Sequence, residues 1–293
     1  MPTIMAAGVT LSYEATGAGA PVLLLAGSGA TGRSWTPYQV PALTRAGLRA
    51  YTMDNRGAGG SGPAEPGLSL ADLVGDTVAV IERAVGGPCA VIGTSLGAQI
   101  AQELTLARPD LVTRVILIAS RARPDPMSRA LTAANRELAE SGVPLPARHR
   151  AVTRALQNLS PATLADPQRA QDWLDLFEVA PENLAEPGRR AQLDALIAAD
   201  RRDAYGSIRT PALVLSFADD LVAPPVRGRE LAEAIPGAVF RLIADAGHYG
   251  YLEQPEVVNE ALVSFLTAAP LGSPDETAAR STAPPAGPAG GRW

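Results

Sequence analysis

The chain contains no lysine; every one of its basic residues is an arginine. That excludes a Schiff base on a lysine amine and the lysine that completes a phosphate-cradling P-loop. Its single cysteine is Cys89, so no disulfide can close within it. Cys89 opens the apolar run Cys89-Ala90-Val91-Ile92, where a small buried hydrophobe is expected. Histidine is nearly as scarce, with only His149 and His248. No uncharged apolar run approaches the roughly 20 residues of a membrane helix. The stretch Met1 to Ala20 has no basic residue ahead of its apolar part and so lacks the charged start of a secretory signal. A soluble cytoplasmic protein is expected. The net charge of −5 gives no electrostatic footprint for nucleic acid. The expected partner is a small-molecule substrate, with no membrane and no nucleic acid, and no cofactor or metal.

The 293 residues suit one large α/β domain or a core with an insertion. Hydrophobic residues at 46% and charged residues at 19% supply ample material for a core. In the first half, short apolar strands alternate with amphipathic helices, the pattern of a mostly parallel, doubly wound sheet. Strands are predicted at Val22 to Ala26, Leu48 to Met53, Cys89 to Gly93 and Val115 to Ile118. Ser69 reads as an N-cap with Asp72 as its capping-box partner. The following helix places Leu70, Leu73, Val74, Thr77 and Ile81 on one face. A second helix is predicted from Leu96 to about Ala107. Residues 121–205 show no convincing strand and read as short helices punctuated by proline, a lid inserted before the next strand. Strand signals resume at Ala212 to Phe217 and Val239 to Ile243. A last helix runs from Glu256 to Leu266, with Val257, Val258, Leu262 and Phe265 expected to point inward. The division is thus a core of residues 1–120 and 206–270, a helical lid at 121–205, and a tail at 271–293. That tail is rich in Pro, Gly, Ala and Ser, has no periodicity, and is expected to be disordered.

Gly93-Thr94-Ser95-Leu96-Gly97 is a G-x-S-x-G pentapeptide, entered from an apolar strand and left by a helix. At such a turn the residues two before and two after the serine must be small. The serine is held in a strained conformation that lifts its hydroxyl above the sheet edge, beside a helix N-terminus that favours negative charge. No other serine here has glycine at both positions. A serine hydroxyl needs a base to become a nucleophile. His149 lies among cations in the helical insertion, where a solvated or packing role is expected. His248 follows the last strand, and loops leaving the carboxyl ends of strands are where α/β sheets place their chemistry. The base needs an orienting carboxylate. Asp219 and Asp220 both follow the strand Ala212 to Phe217, and Asp125 is an outside candidate. The order Ser, Asp, His suits the nucleophile-elbow fold. A tetrahedral intermediate needs preset donors for its oxyanion. Leu96 N–H supplies one, and the loop after the first strand supplies a second at Ser28, with Gly27 permitting close approach. The spacing G-x-G-x-x-G of a dinucleotide loop is absent. Trp35, with Gly27, is expected to flank the site. In the insertion, Trp173, Leu174, Leu176 and Phe177 form the most apolar cluster, with Trp173 and Phe177 as candidates to line an acyl pocket.

These residues resemble the α/β-hydrolase superfamily over about residues 5–268. Asp54-Asn55-Arg56-Gly57-Ala58-Gly59-Gly60-Ser61 is similar to the D-x-R-G-x-G-x-S segment of its lidded members. Asp220-Leu221-Val222-Ala223-Pro224 is similar to the D-x-x-x-P acid loop, which selects Asp220 over Asp219. Gly247-His248, followed by Leu252, Glu253, Pro255 and Glu256, resembles the histidine loop and last helix. The resemblance runs closest to the enol-lactonase and cofactor-free esterase or perhydrolase group. Most relatives carry His-Gly at the oxyanion loop; this chain has Ala26-Gly27, which keeps the backbone donor and loses a side chain that would brace the loop. The resemblance implies a serine hydrolase acting on an ester, lactone or thioester through an acyl-Ser95 intermediate. Asp54 and Arg56 are expected to brace a loop. Carbon–carbon bond cleavage, or an elimination, cyclisation or epimerisation, is the alternative on the same residues. A non-catalytic binding protein would be expected to have lost a member of the Ser95, Asp220, His248 set.

Overall fold

In the computed structural model the described residues are 1–179, 187–196 and 198–269; the expected tail, 271–293, lies outside them. The chain opens with an antiparallel hairpin, β1 (Thr3–Ala6) and β2 (Val9–Thr16). Its tight turn uses Ala7 and Gly8, at φ 46 and 77. Then come β3 (Ala20–Leu25), α1 (Gln39–Arg45), β4 (Leu48–Met53), α2 (Leu70–Val80), β5 (Cys89–Thr94), α3 (Leu96–Ala107) and β6 (Val112–Ile118). Between β6 and the next strand lie α4 (Pro126–Ser141), α5 (Ala147–Asn158), α6 (Pro161–Ala165), α7 (Pro167–Val179), α8 (Pro187–Asp194) and α9 (Arg202–Tyr205). The sheet resumes with β7 (Ala212–Phe217), α10 (Pro225–Ala234) and β8 (Val239–Ile243), followed by α11 (Gly250–Glu253) and α12 (Pro255–Thr267).

The 8-stranded sheet has the order β1-β2-β4-β3-β5-β6-β7-β8. From β4 to β8 every neighbouring pair is parallel. Alternation along the strands divides the core between the two faces. Leu23, Leu25, Val91, Val115, Leu117 and Val214 pack with α2 and α3. Val22, Leu24, Ile92, Ile116, Leu215 and Phe217 pack with α1 and α12. Strands so covered read as continuous hydrophobic runs, which is why they were legible.

Ser69 caps α2 with the expected capping box to Asp72. The helix continues into a π-turn over Ile81–Val85, closed by Gly86 at φ 87. In α12, Val258 and Leu262 are buried as expected, but Val257 is 46% exposed. One residue turns about 100° around a helix, so of adjacent valines only one can face the sheet.

Candidate active site

Ser95, Asp220 and His248 stand on loops at the carboxyl ends of β5, β7 and β8. Ser95 is held at φ 52, ψ −116, a region costly to a non-glycine residue and kept only where surrounding structure imposes it. The imposing contacts are backbone ones. A Cβ on Gly93 would lie 2.2 Å from the Gly97 carbonyl oxygen, and one on Gly97 would lie 2.2 Å from that of Leu25. Both flanking positions therefore require glycine, and the turn that results presents Ser95 to a cavity of about 250 Å³.

His248 lines the same cavity. Its Nδ1 lies 2.8 Å from Asp220 Oδ2. The other oxygen, Asp220 Oδ1, accepts from the N–H groups of Val222 and Ala223 at 2.8 and 2.7 Å. An ionised carboxylate only accepts, so Nδ1 carries the proton and Nε2 is left as the acceptor. Asp219 takes no part: its N–H bonds the Ala246 carbonyl and joins the acid loop to the histidine loop. Asp125 is the N-cap of α4, accepting from Met127 and Ser128 N–H. His149 lies exposed on α5.

Among the backbone donors around Ser95, most are committed. Ser95 N–H bonds Ile118 O at 3.0 Å, Gly29 N–H bonds Gln192 Oε1 at 2.8 Å, and Ala30 N–H bonds Gly27 O at 3.1 Å. The N–H groups of Ser28 and Leu96 make no such bond; Leu96 is the first residue of α3, where a helix leaves its N–H groups without internal acceptors. Gly27 lines the cavity, and a Cβ there would sit 3.4 Å from that of Ser95.

Two expected lining residues are placed elsewhere. Trp35 is fully buried in the core on the α1 and α12 side, with its ring 4.9 Å from that of Tyr251. It does not line the cavity; Tyr251 does, so Trp35 supports the wall from behind. A large ring just after a strand end is as easily absorbed by the core as by a pocket. Trp173 packs 5.2 Å from Phe177 and 6.4 Å from Tyr249. Phe177 and Tyr249 reach the cavity and Trp173 does not. Leu176 is 55% exposed.

The loops are braced by residues that sequence reading assigned and by others that it missed. Asp54 accepts from Gly32 and Gly60 N–H at 2.8 Å each, and Arg56 forks onto Asp76 at 2.6 and 2.5 Å. Both thus brace loops, as expected. Gln192 of α8 was missed. It is fully buried; besides accepting from Gly29, its Nε2 donates to Arg56 O at 2.8 Å. With Asn55 Nδ2 donating to Ala26 O at 3.2 Å, it braces the loop after β3. Glu253 was quoted only as part of a motif. Its Oε2 accepts from Gly247 N–H at 2.7 Å and its Oε1 from Ser160 N–H at 2.8 Å, joining the histidine loop to the insertion. The bonds of Gln192 and the Glu253 bond to Ser160 span long sequence separations, so no local pattern marks them; only the Glu253 bond to Gly247 is local.

This architecture, with a serine at a sharp strand–helix turn and an Asp–His pair on later strand ends, is the α/β-hydrolase fold. The sequence profile of the alpha/beta hydrolase family matches residues 22–261, and the chain belongs to that family. It is 44% identical over 260 residues to a Mycobacterium tuberculosis H37Rv protein provisionally named non-heme bromoperoxidase BpoC, covering 89% of this chain and 98% of that protein. The crystal structure of that protein superposes with a TM-score of 0.84 at 43% identity, covering 87% of this chain and 95% of the other. A Variovorax paradoxus S110 protein provisionally named carbamate hydrolase RutD is 30% identical over 263 residues, covering 87% of this chain and 96% of its own. The enol-lactonase from Burkholderia xenovorans LB400 superposes with a TM-score of 0.81 at 26% identity, covering 91% of this chain and all 100% of that one. No helix among the described residues is long and apolar enough to cross a membrane.

Proposed function

We propose that the protein hydrolyses a carboxylic ester, lactone or thioester of a small organic substrate through an acyl-Ser95 intermediate. The observation that carries this reading is the shared cavity. A conformationally strained Ser95 opens into it together with His248, whose far nitrogen is held by Asp220 at 2.8 Å. In this reading His248 Nε2 takes the Ser95 proton as Oγ attacks the carbonyl carbon. The developing oxyanion is met by the uncommitted N–H groups of Ser28 and Leu96. His248 then returns the proton to the leaving group, and later activates the water that releases the acid. Asp220 stabilises the imidazolium without taking its proton. The helices over residues 126–205 act as a lid, since Leu131, Leu138 and Phe177 wall the cavity on their side. Related proteins named for enol-lactone and carbamate hydrolysis support acyl chemistry at this site.

The test is a panel of p-nitrophenyl esters, lactones and acyl thioesters, with Ser95→Ala as control and fluorophosphonate labelling as a second readout. The same panel carries bromide with hydrogen peroxide, the activity for which the mycobacterial relative is named. Turnover of at least one acyl substrate, lost together with labelling in Ser95→Ala, is the expected result. Turnover that survives in Ser95→Ala would overturn the assignment.

A further inference from the structure

The protein carries a net charge of −5, yet its catalytic cavity is cationic. Arg121, Arg150 and Arg154 line it, and no described aspartate or glutamate does. Arg154 lies over the rings of Phe177 and Tyr249 at 4.6 and 5.5 Å, and no described carboxylate pairs with it. Arg121 is the more unusual. It follows β6, close to the Ile118 carbonyl that holds Ser95 N–H, and only 7% of it is exposed. A buried guanidinium is normally paired with a carboxylate. Among the described residues, Arg121 has none within ion-pair distance. Its single hydrogen bond is a long one, Nη1 to Val222 O at 3.4 Å, and its buried Nε has no partner.

The two carboxylates nearest in charge, Asp125 and Asp220, are both engaged elsewhere. Asp220 uses one oxygen on His248 and the other on two backbone N–H groups. Asp125 caps α4, and its second oxygen lies 3.7 Å from Arg227. The guanidinium cannot shed its proton to escape the cost of burial. It is thus a fixed positive charge, its buried Nε without a partner, in the wall of a site that already holds Ser95 and His248.

We propose that Arg121 is an anion subsite, and that the substrate is an ester, lactone or thioester bearing a carboxylate apart from the bond that is cleaved. This rests on the hydrolase reading above. The planar, forked donors of arginine match a carboxylate, which would give the buried charge its missing partner. The cation Arg154, with no described carboxylate paired to it, adds to the attraction of an anion into the cavity.

Two measurements test this. The first compares p-nitrophenyl hemiglutarate with p-nitrophenyl valerate, which differ chiefly in the terminal carboxylate. The wild type should favour the hemiglutarate in kcat/KM by about tenfold to a hundredfold, the scale of a hydrogen-bonded charge contact. Arg121→Gln should bring that ratio close to one, mostly through the KM of the hemiglutarate, and Arg121→Lys should retain part of it. A wild type without preference overturns the subsite. So does an equal loss on both esters in Arg121→Gln, which would make Arg121 a brace of the acid loop. The second measurement is calorimetric binding of glutarate and of neutral valeramide to Ser95→Ala, which needs neither turnover nor an Arg121 variant. Binding of glutarate but not valeramide supports the subsite, even if no ester is cleaved and the hydrolase reading fails; equal or absent binding of both overturns it.

Discussion

Along β3, Val22, Leu23, Leu24 and Leu25 are each at most 1% exposed. The insertion contrasts sharply: Ser128 is the buried residue of α4, a helix of 16 residues, and Phe177 that of α7, a helix of 13. The insertion's apolar cluster is small and separate, built on Ala151, Ala155, Leu159 and Phe177. Ala191, Ala195 and Tyr205, near its end, join the main core, and polar bridges complete its attachment. Arg201 forks onto Glu103 at 2.8 and 2.7 Å, Arg123 onto Glu230 at 3.1 and 3.0 Å, and Gln192 and Glu253 make the bridges described above. The sheet buries apolar surface on both faces and so provides the rigid edge on which chemistry depends. The insertion spends much of its inner surface on polar groups facing the cavity. On the proposed function, reactivity and selectivity are built from different materials: strand ends for the first, a polar helical cover for the second.

Five substitutions and one labelling experiment probe this division. Ser95→Ala should remove about 10⁶-fold in kcat, because members of such a set act as a unit, while circular dichroism shows an unchanged fold. A residual rate near wild type would place the nucleophile elsewhere. Next, Asp220→Asn should cost about 10⁴-fold by releasing the His248 ring from its tautomer. Asp219→Asn should cost less than about tenfold, its carboxylate acting only through screened charge. Steady-state kinetics on one ester decide between the two, and the reverse ranking would shift the acid by one residue.

On the core side, Trp35→Ala should destabilise the fold by about 3 to 5 kcal/mol, the range for a large buried ring, measured by urea unfolding. Ester KM should change little if Trp35 supports the wall rather than lining it; a large rise in KM would return it to the pocket. On the insertion side, Gln192→Leu removes the acceptor of Gly29 N–H and the donor to Arg56 O. We expect a loss of about tenfold to a hundredfold in kcat, the scale of a small misplacement of catalytic donors, with KM nearly unchanged. A loss in KM alone would mean that Gln192 touches substrate rather than positioning the loop. The smallest effect is expected at Cys89. It is buried at 1% exposure, and desolvation pushes its thiol up to about 12. The thiolate is the reactive form and is populated only above that value, so iodoacetamide should fail to label the native protein at pH 8. Rapid labelling there would show that the core opens around β5.

Much of the fold was legible. The strands at Leu48 to Met53, Ala212 to Phe217 and Val239 to Ile243, and the helix Leu96 to Ala107, agree with the structure end to end, because two-sided burial writes itself as continuous apolar runs and helical stripes. The N-terminal hairpin went unread. β2 is only partly buried, and its turn uses Ala7-Gly8 in place of the asparagine or aspartate that usually announces one. At the site, the glycines flanking Ser95 marked the sharp turn, whereas the need for glycine before His248 is set by a residue far along the chain. A Cβ on Gly247 would lie 2.6 Å from the Asn158 carbonyl oxygen.

The sequence by itself thus determined the order of elements, the sharp turn at Ser95 and the choice of His248 over His149, since each follows from local pattern and sterics. Tertiary structure alone decided which rings face the cavity, that Trp35 belongs to the core, and that Gln192 and Glu253 join the insertion to the catalytic loops. It alone showed that Arg121 is buried in the wall of the Ser95 cavity with no described carboxylate in an ion pair with it. Pairing, burial and cavity lining depend on residues distant in sequence meeting at one strand edge, and no local periodicity encodes such meetings.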